Sequence, residues 1–289
     1  MWAKTVLILT ALGAVSGGNK MSYELFAKLH ARIVERHAQA RDLEDELPGL
    51  AGRLKIAEKV SADYWTDSTP FDELAKSYIL PDAVLDALAI PRATTHGLVH
   101  VPAGVMHTYG YLFSQLRTAF GLKGKRWIES RLDERLGLPA GAFSVLPPKG
   151  EFLSNVTRAF FKVLGVSAGL PRAAALSPKT RLTGTITEQV VWKTGDGAVK
   201  RGVVRTHLVD LLPLKDQQTT DVKLLIYEAE LDGRRRLVTG FPVDEKFATS
   251  IVASGPATDT VFKPRFNLYV DPSWSVLEHR SEGFVSAKP

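Results

Sequence analysis

Along the first half of the chain, apolar positions recur with helical spacing. Leu25, Phe26, Leu29, Ile33 and Val34 make one stripe behind a Ser22 cap, with Glu24, Lys28, Arg32, Glu35 and Arg36 on the wet side. Pro48-Gly49 closes that helix, and a weaker one follows over 50–60. Thr69-Pro70-Phe71-Asp72 reads as another helix start: a Thr cap, Pro at the first helical position and an acid in the first turn. It predicts a helix to Leu80, before Pro81, and Val84, Leu85, Leu88 and Ile90 predict a short one before Pro91. Lys125–Leu136 carries the best-marked pattern, with Ile128, Leu132 and Leu136 on its apolar face. Gly137, Leu138 and Pro139 then supply a left-handed helix stop. Phe152, Val156, Ala159, Phe160, Val163 and Leu164 align on a helix over Glu151–Leu164, ended by Gly165.

The period shifts to two in other places. Gly97–Val101 and Val105–Phe113 flank Pro102-Ala103-Gly104 and read as a hairpin. After a Pro-, Ala- and Gly-rich stretch over 166–180, the second half reads as strands. Leu182–Trp192 and Val199–Leu212 surround a Thr194-Gly195-Asp196-Gly197 turn. Val222–Leu231 leads into Asp232-Gly233, a strong two-residue hairpin signal. That loop puts Glu230 opposite Arg235 and Tyr227 opposite Val238. Phe247–Ala253 and Val261–Val270 predict two more strands. The expected fold is therefore α+β. A mainly helical domain covers 19–168, with one hairpin near 97–113, and an antiparallel β sandwich or barrel covers 180–289.

Residues 1–18 stand apart. Lys4 is the only charge before Lys20, Thr5–Val15 carries none, and Ala14 and Ser16 supply a small-x-small exit. That pattern predicts an export signal and an extracytoplasmic protein; the alternatives are a buried first strand and a cytoplasmic or organellar one. The 289 residues contain no cysteine, which excludes a disulfide scaffold, a thiol nucleophile and thiolate metal sites. Thirty-seven Lys and Arg against 31 Asp and Glu leave a net charge of +6, which suits an anionic partner without choosing one.

Three clusters could carry chemistry. His96, His100 and His107 lie within twelve residues beside Tyr109. If Ala103-Gly104 is the turn, the three imidazoles share one face and could hold a divalent transition metal with a coordination site left for water. Without a metal, His100, His107 and Tyr109 become acid–base candidates. A three-residue loop would instead send His100 and His107 to opposite faces. Arg117, Lys123, Lys125, Arg126 and Trp127 form a basic, aromatic group around a Gly-punctuated turn, an anion clamp for a small substrate. Arg234-Arg235-Arg236 follows the Asp-Gly turn, where it either touches an anionic surface or pairs across the ladder with Glu228 and Glu230.

No GxSxG, Walker, Rossmann or HExxH signature is present. No nucleic-acid-binding module is recognisable, so nucleic acid is not the expected partner. Two functions follow. The first is an exported enzyme acting on a small anionic substrate through His-based acid–base or metal-assisted chemistry. The second is a non-catalytic β-domain protein that binds a lipid, a glycan, an anionic membrane surface or a partner subunit, as an accessory component of a membrane-associated assembly.

Overall fold

The computed structural model describes residues 64–66, 71–72, 77–79, 108, 111, 114, 116–118, 121–123, 126–139, 142, 152–166, 176–218, 220–231, 233–253, 258–259, 268, 270–271 and 273–287. In chain order these form β1 (Phe71–Asp72), β2 (Ser77–Tyr78), β3 (Arg117–Thr118), β4 (Gly121–Leu122), α1 (Arg126–Glu129), α2 (Leu132–Arg135) and α3 (Phe152–Val163). Then come β5 (Thr180–Lys193), β6 (Val199–Leu211), β7 (Val222–Leu231), β8 (Arg234–Asp244), α4 (Glu245–Val252), β9 (Thr258–Asp259) and β10 (Ser275–Ser286).

One antiparallel sheet dominates, in the order β8-β7-β6-β5-β10-β9. The four strands β5 to β8 are a plain meander, with tight turns after β5 and β7 and a ten-residue connection, 212–221, between β6 and β7. β10 then comes back to the free side of β5, with Ser275 opposite Lys193 and Ser286 opposite Gly184. Among the described residues the ends of this order, β8 and β9, are not hydrogen-bonded to each other, so the sheet is open there. The expected sandwich or barrel is replaced by this single layer with helices against it.

The helical N-terminal half is also overturned. Where a helix was expected from Thr69, Phe71 pairs with Tyr78 and Asp72 with Ser77 in a short antiparallel ladder. The 125–136 helix is two single turns. Arg131 between them adopts a left-handed conformation, with φ 49°, and starts α2 anew. Helical periodicity persists through such a break, so the pattern alone could not show it. Thr108 and Tyr111 are helical, which removes the second strand of the 97–113 hairpin. Phe247–Ala253, expected as a strand, is the body and C-cap of α4. The Asp244 side chain accepts a hydrogen bond from the Phe247 amide at 2.7 Å, and this N-cap outweighs the β-branched content of the segment. The helices expected from Ser22, over 50–60 and over 84–90 lie outside the described residues, as do most of 261–270 and the linker over 167–175.

Both predicted glycine stops hold. The Leu138 amide donates to Asp133 O at 2.9 Å and the Gly137 amide to Glu134 O at 3.1 Å, with Gly137 at φ 77°. After α3, Val166 donates to Phe161 O at 2.9 Å and Gly165 to Lys162 O at 3.2 Å, with Gly165 at φ 65°. Each is a Schellman closure, and only glycine takes that φ without steric cost.

One buried cluster joins the helices to the sheet: Trp127, Leu132 and Phe160 pack with Leu224, Ile226, Val238 and Phe241. α3 seats through Phe160 against Gly240, where an added Cβ would come 2.5 Å from Phe160 Cε2. At the β8 edge Trp65 bridges Leu237, the Thr66 amide donates to Leu237 O at 2.8 Å, and Trp65 Nε1 donates to Thr157 Oγ1 on α3 at 2.9 Å. Buried Arg135 ties α2 to the loop after β6, with Nη1 donating to Leu212 O at 2.5 Å and Nη2 to Gln217 Oε1 at 2.6 Å.

Candidate functional site

Side chains of cross-strand partners share a face, and faces alternate along each strand. On the face that carries Gly240 and α3, β6 presents His207 and Arg205, β7 presents Ile226 and Glu228, and β5 presents Thr185. A register shift between Tyr227 and Glu228 carries the pairing onward. Glu230 still faces Arg235, as the Asp-Gly turn predicts, but Tyr227 faces Thr239 rather than Val238. The bulge adds one residue to β8, which no turn rule reads.

Glu228 is fully buried. Arg235 Nε donates to both of its carboxylate oxygens at 2.7 Å. Arg205 Nη1 reaches Glu228 Oε1 at 3.3 Å, while Arg205 Nη2 donates to Glu230 Oε2 at 3.0 Å. His207 Nε2 lies 3.4 Å from Glu228 Oε1, and His207 Nδ1 is 2.9 Å from Thr185 Oγ1. Burial pushes the Glu228 carboxyl up, but the His207 and Arg235 contacts outweigh it and hold the group below the ordinary glutamate range. The carboxylate is therefore charged, enclosed and shared among three cation-forming side chains. Thr185, partly buried, completes a hydroxyl–imidazole–carboxylate line.

The opposite face repeats the theme once. Glu188 on β5 and His279 on β10 are both buried, with His279 Nε2 3.2 Å from Glu188 Oε1. Their strands are neighbours in the sheet, and the Ser281–Glu188 and His279–Val190 pairings put both on one side.

The expected anion clamp is brought together in part. Lys123, Arg126 and Trp127 are all buried. Lys123 Nζ sits 4.9 Å from the centre of the Tyr111 ring, which stacks on Trp127 at 4.6 Å. The Arg126 guanidinium lies 5.7 Å from the Phe241 ring and bonds Thr118 Oγ1. Both cations thus lie against aromatic faces inside the protein, in a cation–π arrangement. Arg117 is exposed on β3. Lys125 lies outside the described residues, and so do His96, His100, His107 and Tyr109, with the metal and acid–base centre expected of them. Among the described residues no group of three or more His, Cys, Asp and Glu could hold a metal ion.

Sequence reasoning missed Thr185, His207 and Glu188 as site candidates because single polar residues inside apolar strands look like interruptions. It missed His279 because β10, with Glu278, Arg280 and Glu282 along it, reads as surface. The one available signal was the facing of Glu228 and Glu230 by Arg235 across the turn. Among the described residues no helix is long and apolar enough to cross a membrane. Comparison with protein-family models, with curated protein sequences and with solved structures finds no match for this chain.

Proposed function

We propose that the chain is a non-catalytic β-domain protein that acts by docking a partner, an accessory component of a larger assembly. The observation that carries this reading is the use to which the sheet puts its ionisable groups. His207 and His279 are each buried against a glutamate, and both oxygens of Glu228 are held by Arg235. A base that must accept and release protons needs access to its substrate. These imidazoles brace strand to strand instead, making the sheet a rigid platform. The test is the state of the native protein. The 31.7 kDa chain, detected in gently lysed source cells at low salt, should migrate in an assembly well above its own mass. Migration as a free monomer under those conditions would overturn the proposal.

A second reading keeps an enzyme on a small anionic substrate, and one observation favours it. Thr185 Oγ1 lies 2.9 Å from His207 Nδ1, whose other nitrogen faces a buried carboxylate. That is the order of nucleophile, base and orienting acid. A fluorophosphonate probe followed by peptide mapping separates the readings. Label on Thr185, lost in Thr185→Val, would establish the enzyme; an unlabelled Thr185 leaves the docking reading in place.

A further inference from the structure

The sheet face that carries His207 and Glu228 continues beyond them, over β6, β5 and β10, toward the 194–198 turn. Strand pairing sets its members in rows: Val199 beside Lys193 beside Ser275, then Arg201 beside Val191 beside Glu278, then Val203 beside Gln189 beside Arg280. On β5 the residues of the opposite face, Ile186, Glu188, Val190 and Trp192, are all buried. On this face Lys193, Gln189, Val199, Arg201 and Arg280 are exposed.

Two properties set this surface apart from an ordinary wet face. It is apolar where polar groups usually meet water. Val199 is 57% exposed, with Val191 and Val203 half-buried near it. Val285, on the same face farther along β10, is 56% exposed, and Leu277, in the register shift between Val276 and Glu278, is 47% exposed. These are three of the five large exposed hydrophobic side chains among the described residues. The surface is also unbalanced in charge at one corner. Lys193 and Arg201 make no ion pair among the described residues. They are diagonal neighbours, ~7–8 Å apart, and Val199 and Val191 occupy the other two corners of the square. The other cations of this face are matched: Arg280 Nε lies 2.6 Å from Glu278 Oε1, Arg205 donates to Glu230 at 3.0 Å, and Arg235 holds Glu228.

We infer that this surface docks another protein, through a patch that sets carboxylates against Lys193 and Arg201 and aliphatic side chains over Val199 and Val191. The inference rests on the docking reading and adds its surface and the chemistry of its partner. Charge complementarity selects a protein. The two uncommitted cations call for anionic groups. Glu278, however, shares a row with Arg201, with only Val191 between them, and its side chain is 42% exposed. Glu230 stands beside Arg205 on the same face. A uniformly anionic surface, whether a bilayer or a phosphate backbone, would press its charge onto both carboxylates. A protein can place acids against the two cations and none against Glu278, which is how interfaces reject wrong partners. A second copy of this chain would bring the same two uncommitted cations to the contact. No local signal in the sequence marks this surface, because only the ladder sets Lys193 beside Val199 and Arg201 beside Val191.

The test uses the full chain in gently lysed source cells and a carbodiimide, which joins a lysine amine to a carboxylate in direct contact with it. Cross-linked peptides containing Lys193 should lead to aspartates or glutamates of one other protein. Lys193→Glu/Arg201→Glu, expressed in place of the wild-type chain, should lower the fraction that migrates in an assembly at least about tenfold, since like charges then meet. Val199→Asp should do the same, and because Val199 is exposed the variant should still fold. Changing the cross-linked carboxylates of the partner to lysine should return the double variant to the assembly. Lys215→Glu/Lys246→Glu, exposed and away from this surface, should change the fraction less than about twofold; circular dichroism checks that every variant folds. Lys193 cross-links to another copy of this chain alone, equal losses in the two double variants, or no rescue by the charge swap would each overturn the inference. So would purified wild type binding phosphatidylserine vesicles or oligothymidine in a way that Lys193→Glu/Arg201→Glu abolishes. If the assembly survives Lys193→Glu/Arg201→Glu, docking stands and this surface falls. A native chain that is a free monomer removes both.

Discussion

Replacing Glu228 with glutamine is the sharpest test of the buried charge cluster. The amide keeps the shape but loses the charge, so Arg235 and Arg205 face a neutral group where they had a carboxylate at 2.7 and 3.3 Å. Removing one member of a buried ion pair costs ~3–5 kcal/mol. Arg235 is about one third exposed and recovers some hydration, so the lower end, ~3 kcal/mol, applies. With a urea m-value of ~2–3 kcal/mol/M, the unfolding midpoint should fall by about 1 M. Urea melts followed by tryptophan fluorescence measure it, and Arg235→Gln alone and combined with Glu228→Gln close a double-mutant cycle. The coupling should be ~1–3 kcal/mol. A midpoint shift below about 0.3 M, or a rise, would show that the carboxylate does not organise this face.

The same carboxyl sets an acid limit. Its folded-state pKa lies below the ordinary value of 4.5, so its contribution is complete above that pH and is lost as pH falls through the lower folded value. Glu228→Gln should therefore flatten the stability profile below about pH 4.5, read as urea midpoints at a series of pH values; an unchanged profile would assign the acid sensitivity elsewhere. Gly240→Ala should lower stability by ~1–3 kcal/mol, because its Cβ would meet Phe160 Cε2 and Cζ at 2.5 and 2.7 Å and Leu225 O at 3.2 Å. A thermal melt within about 1 °C of wild type would mean that α3 slides freely on the sheet. Gly137→Ala combines a φ of 77° with a Cβ 2.7 Å from the Ser177 backbone, and should cost at least ~2 kcal/mol in the same melt.

Local rules succeeded where neighbours along the chain decide the outcome. The span of β7, the Glu230–Arg235 facing and the two glycine helix stops depend on a few adjacent residues, and all were legible. Tyr227 was placed one residue off because a bulge beyond the turn shifts the ladder. α4 was misread because one capping side chain outweighs the propensity of the next eight residues. β10 went unread since its alternate positions are charged, and its strand state comes from the free edge of β5 that it completes.

By itself the chain determined the strands β5 to β7 and the tight turns after β5 and β7, that α3 lies between its predicted ends, and that thiol chemistry is excluded. Tertiary structure decided the rest: one open sheet among the described residues in place of a sandwich or barrel, Glu228 shared among Arg235, Arg205 and His207, and Glu188 set beside His279. The physical reason is range. Turns and caps are energies of adjacent residues, whereas a shared buried carboxylate exists only once strand pairing sets distant residues about 5 Å apart.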